Sequence, residues 1–164
     1  MKQLLRTRLA FLVASVACAH LASARAAVPI AQEGRTGVVA ELGKTAVLVT
    51  ITTAKVPMHG ARPSSCTSSR EPCSIVNALE ILVDEKHVFV PRSVLARLSD
   101  LNTGEIAPNG TGWILKLTGG DASESYIAAI EFDRQRVTGM RVSGGIMPDK
   151  PLEETVFHIQ TLDE

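Results

Sequence analysis

The sequence predicts a mainly β domain, an antiparallel meander that is either a small barrel or a curled sheet of seven to eight strands, with one short helix packed on it. Three observations lead there. Apolar runs rich in Val, Ile and Thr alternate with period two, as half-buried strands do. Gly pairs, Pro and Asn-Gly separate the runs, as turn residues do. The joints between runs are short, which suits hairpins rather than the long crossovers of a parallel sheet. With four Phe, one Tyr and one Trp in 164 residues, the core must rest on Val, Ile and Leu. No fixed-period repeat appears, so one domain accounts for the chain.

That domain is expected over residues 27–164, because residues 1–26 read as a signal peptide. Lys2, Arg6 and Arg8 form a basic start, Leu9 to Ala22 is a mostly apolar stretch interrupted by His20, and Ala24-Arg25-Ala26 places small residues where a signal peptidase reads. The apolar stretch falls short of the roughly 20 residues that a membrane-spanning helix requires. Ser15-Val16-Ala17-Cys18 also resembles a bacterial lipobox, and that resemblance implies a lipid anchor at Cys18. The reading adopted is cleavage after Ala26, leaving no transmembrane segment. Loss of the leader changes 17 basic against 17 acidic residues to 13 against 17, a net of −4. No arginine-rich run remains, which disfavours nucleic acid as a partner.

Along the chain, Ala27 to Arg35 reads as an unstructured lead. Gly37–Leu42 and Thr45–Thr53 follow as strands joined by Gly43-Lys44, a two-residue joint suited to a II′ turn. Val56 to Pro72 is a long Pro/Ser/Arg-rich loop holding Cys66 and Cys73. Six residues separate the two cysteines, and in an exported chain they are expected to form a structural disulfide; a redox pair would want Cys-x-x-Cys, and zinc would want more ligands. A strand is expected from about Leu79, with a break at Glu85-Lys86 and a return strand over His87–Val90. Pro91 then opens a helix whose stripe is Val94, Leu95, Leu98 and Leu101. Asn102 to Gly112 reads as a second loop. Trp113–Leu117 is a strand with Trp113 as a core plug, and Glu153–Leu162 is a closing strand with one face half wet.

The stretch the rest is organised around is Gly119 to Gly145. Tyr126, Ala128, Ile130 and Phe132 share one face at period two, and Val137–Val142 supplies a partner strand beyond Asp133-Arg134-Gln135-Arg136. A helix over 123–134, started by the capping-box-like pair Asp121 and Glu124, is the competing reading. Asp121-x-Ser123-x-Ser125 resembles the metal-ion-dependent adhesion motif of von Willebrand A-type domains. That resemblance implies a divalent cation held by a carboxylate and two hydroxyls, on a fold of alternating strands and helices. The flanks here read as antiparallel β, so neither metal nor cofactor is assigned.

No Gly-x-Ser-x-Gly elbow, phosphate loop or dinucleotide fingerprint is present. The functional expectation is a soluble periplasmic or secreted binding or interaction protein, such as an inhibitor or protective protein of the cell envelope, with a protein or small molecule as partner. Its candidate binding residues are Asp121, Ser123, Glu124 and Ser125, helped by Arg134, Arg136 and Arg141 of the same hairpin. The alternative is a small hydrolase or metal-dependent enzyme using Asp121 or Glu124 with His59, His87 or His158.

Overall fold

The computed structural model describes residues 26–57, 63–68 and 70–158. The expected signal peptide up to Arg25, with its Cys18, the loop histidine His59 and the end of the closing strand, 159–162, lie outside these residues. The chain is mainly β and antiparallel, as expected, but the described residues form ten strands rather than seven or eight. β1 (Val28–Pro29), β6 (Leu101–Asn109), β7 (Gly112–Gly119), β8 (Tyr126–Phe132), β9 (Val137–Gly144) and β10 (Pro151–Val156) form one sheet in that order. β2 (Gly34–Leu42), β3 (Thr45–Lys55), β4 (Ser74–Val83) and β5 (Lys86–Val88) form the other. β2 to β5 and β6 to β10 are each a meander, β1 joins the second beside β6, and neither sheet closes into a barrel.

One core joins the two sheets. Period-two alternation turns Val47, Val49 and Ile51 of β3 and Ile81 and Val83 of β4 toward Leu115 and Leu117 of β7 and Ala128, Ile130 and Phe132 of β8. Each fully buried aliphatic side chain contributes roughly 1.5–3 kcal/mol against exposure, so this shared interior, poor in aromatics, is the main cohesive term. Trp113 is buried at the rim, tilted against Phe132 with ring centroids 5.8 Å apart. The sheets also meet at their margins: β2 lies against β6, and Phe89 exchanges backbone hydrogen bonds with Gln135 and Val137 at the start of β9.

Three expectations are corrected. The segment 102–112 is not a loop, because β6 occupies most of it and Asn109 to Gly112 is its tight turn into β7. Gly104 faces inward, where a Cβ would sit 3.0 Å from Leu117 and 3.3 Å from Val38, so a glycine there serves close packing. The lead is not wholly unstructured either, since Val28 and Pro29 pair with β6. The helix exists but is one turn, α1 (Arg92–Leu95); Leu98 and Leu101 are buried because the chain dives back into the core to begin β6.

Cys66 and Cys73 form the expected disulfide. The loop it closes is fastened to Asp100, the last residue before β6, where the chain leaves the four-stranded sheet for the six-stranded one. The Asp100 carboxylate is fully buried and accepts from Thr67 N (3.2 Å), Thr67 Oγ1 (2.8 Å) and Ser74 N (2.9 Å). Its own N donates to Ser74 O at 2.6 Å, and its carbonyl accepts from Gly120 N at 3.0 Å. A buried charge without such donors costs several kcal/mol, and breaking the set strands the donors as well. Asp100→Ala is therefore expected to lower unfolding free energy by about 3 kcal/mol in urea melts, with Asp100→Asn intermediate. A loss under about 0.5 kcal/mol, the level of an ordinary surface change, would contradict this role.

Candidate functional site

The polar stretch after β7 folds as a single 3-10 turn, Ala122–Glu124, followed by strand β8, so the strand reading of 126–132 holds over the helical one. Asp121 is the turn's N-cap, its Oδ1 accepting from Ala122 N at 2.8 Å. Ser123 is exposed. Glu124 Oε1 accepts from Ser68 Oγ at 2.7 Å, which ties the turn to the disulfide loop. Ser125 is half-buried, and its carbonyl accepts from Gly145 N at 2.7 Å. Four of the predicted residues thus stand together, on a turn braced from both sides. The antiparallel strands do not match the fold of alternating strands and helices that the adhesion-motif resemblance implies.

The arginines are elsewhere. Arg134 and Arg136 follow β8 at its far end, about 20 Å from Tyr126 at the usual rise per residue. Arg134 donates to Asp84 Oδ2 (2.6 Å) and Thr45 Oγ1 (3.1 Å) and lies over the Trp113 ring at 5.7 Å. The Arg134 bond, followed by one from Ala46 N, holds the Asp84 carboxyl below its ordinary range. Arg136 donates its backbone N to Asp133 Oδ1 at 2.8 Å, closing the β8–β9 turn. Arg141 projects from mid-β9 on the outer face, 3.0 Å from Glu131. His87, in β5 opposite Leu82, and His158, just past Phe157 N bonded to Thr138 O, belong to the Arg134 end. The structure therefore does not bring either histidine to Asp121 or Glu124.

No family model, curated protein or solved structure matches the chain. The functional reading therefore rests on this geometry. Among the described residues no three His, Cys, Asp or Glu side chains gather as a metal site, and no helix is long and apolar enough to cross a membrane.

Two surface features went unread in the sequence. The first is the β9–β10 hairpin: of six exposed large apolar side chains among the described residues, four (Ile146, Met147, Leu152 and Val156) lie on it. The second is a groove of about 400 Å³ on the outer face of the six-stranded sheet, with Lys116 and Arg141 above Ile114, Ile127 and Ala129. The register that puts Lys116 and Arg141 on either side of Ala129 did not show in the sequence.

The turn at 122–124 is anchored from below by Tyr126. Its ring passes over Gly119, where a Cβ would meet it at 2.5 Å. Its hydroxyl accepts from Ser99 N (3.0 Å) and donates to Ser99 O (2.6 Å). Burial, outweighing those bonds, pushes the Tyr126 hydroxyl from 10.0 up to about 12. A raised acid favours the protonated fold, so its contribution is complete below pH 10 and is lost as pH climbs from 10 toward 12. With one tyrosine in the chain, ultraviolet titration of tyrosinate reads this residue directly. Native protein is expected to ionise near pH 12, with on the order of 2 kcal/mol of stability lost across that window, and Tyr126→Phe should flatten the loss. Ionisation of native protein near pH 10 would contradict the clamp.

Proposed function

We propose that the chain is an exported, non-enzymatic interaction protein of the bacterial cell envelope, acting in the periplasm or outside the cell, and that its β9–β10 hairpin is the surface that meets a protein partner. The observation that carries this is the clustering of Ile146, Met147, Leu152 and Val156, 56–77% exposed, within one hairpin. Apolar side chains scattered singly are ordinary, whereas several gathered on one short hairpin favour an interaction site. The hairpin is also a sheet margin. Among the described residues β10 has no strand on its outer side, and Pro151, Glu153, Glu154 and a register shift between Pro151 and Glu153 blunt indiscriminate strand addition. The partner is therefore met through side chains.

Export is supported by the leader-like start of the sequence and by the Cys66–Cys73 disulfide, a bond that persists in oxidising compartments. The braced turn at Asp121–Ser125 sits near the opposite end of β9 from Val156's partner Gly139 and adds a polar flank to the same sheet margin through the Gly145–Ser125 bond.

A photo-crosslinking residue placed at Leu152 in cells is expected to give one discrete protein adduct. The same residue at Glu80, exposed on the other sheet, should give none, and adding Ile146→Asp should abolish the Leu152 adduct. Equal labelling from both positions, or no adduct from Leu152 in the native compartment, would remove the proposal.

A further inference from the structure

We infer that the outer face of the six-stranded sheet carries a binding site for a small organic monocarboxylate with an apolar body, its carboxylate held between Lys116 and Arg141 over Ala129. The strand register builds this site. Glu105, Lys116, Ala129, Arg141 and Glu154 form one row across five strands, each the register partner of the next. Two cations thus stand two strands apart, about 9.6 Å at the usual strand spacing, with a methyl group between them. Both side chains are long enough to converge above Ala129, and a small residue at the midpoint leaves the space that is observed as the groove.

Charge and shape then select the ligand. Each cation has a carboxylate neighbour, Glu105 at 3.4 Å from Lys116 and Glu131 at 3.0 Å from Arg141, in pairs 33–47% exposed. Such pairs are worth little in water, so an incoming carboxylate can share the cations without a large penalty. Guanidinium also offers a planar fork that matches a carboxylate. Glu105, Glu131, Glu154 and Asp149 around the site outnumber the two cations by two, which opposes a dianion. A monoanion whose affinity comes largely from its body fits better, and Ile114 and Ile127 provide the apolar floor. Pro148 and Pro151 close one end with backbone that has little freedom. The groove volume of about 400 Å³ lies in the range of small-molecule sites.

The test uses octanoate as probe on isotopically labelled purified protein, followed by amide chemical shifts. Saturable shifts are expected at Ile127, Ala129 and Arg141, with octanol and inorganic phosphate each binding about tenfold more weakly, since either the head or the body is missing. Lys116→Gln and Arg141→Gln should each weaken octanoate by about fivefold. Ala129→Leu, which fills the groove while the rest of the spectrum stays dispersed, should abolish it. Octanol matching octanoate would reduce the face to a nonspecific apolar surface and overturn the inference, as would phosphate matching it or the absence of saturable shifts. Crosslinking from Leu152 reads the hairpin and not the groove, so either result can fail while the other stands.

Discussion

Asp100 is the constraint from which the rest of the architecture follows. A chain that makes two meanders must leave one sheet and enter the other, and it does so at a residue with φ of 47°, in the left-handed region that Asp tolerates better than most. Its buried carboxylate takes donors from the disulfide loop and from the start of β4, and its carbonyl takes Gly120 N from the end of β7. Neighbouring bonds extend the knot. Ser99 Oγ donates to Ser65 O, Arg70 donates to Gln32 Oε1 and Asn102 Oδ1, and Asn102 Nδ2 donates to Gly120 O. Hydrophobic burial holds the sheets together without direction; this polar set supplies the direction.

The disulfide has its place in that arrangement. Closing eight residues removes about 2.5 kcal/mol of unfolded-chain freedom in the chain-entropy account, and it keeps Thr67 where the carboxylate can use it. With one end of the sandwich so bound, the polar turn at Asp121–Ser125 is part of the bracing. The β9–β10 hairpin and the outer face of the six-stranded sheet lie outside this knot. The opposite end is secured differently, through Arg134 spanning Asp84, Thr45 and the face of Trp113.

Much of the fold was legible because period-two patterns in Thr45–Thr53, Trp113–Leu117 and Tyr126–Phe132 were strong, and because two cysteines in one loop have few alternatives. β6 was hidden because it carries Gly104 and Pro108, residues that signal breaks locally but here serve a crowded interior and a strand end. α1 looked longer because Leu98 and Leu101 continue its spacing while being buried by the chain's return to the core. The candidate site was legible only as a polar loop. Arg134 and Arg136 are near Asp121 along the hairpin in sequence, yet a strand of seven residues stands between the two ends. Lys116 and Arg141 are 25 positions apart, and only the β7–β8–β9 register sets them on either side of Ala129.

Native-state hydrogen exchange of the Thr67, Ser74 and Gly120 amides tests the central claim most directly, since all three donate to Asp100. If the knot organises both sheets, these amides open only with the core and exchange as slowly as those of Leu115 and Ile130. Exchange of all three at loop rates, while Leu115 and Ile130 remained protected, would show that the sheets stand without it and would contradict the account.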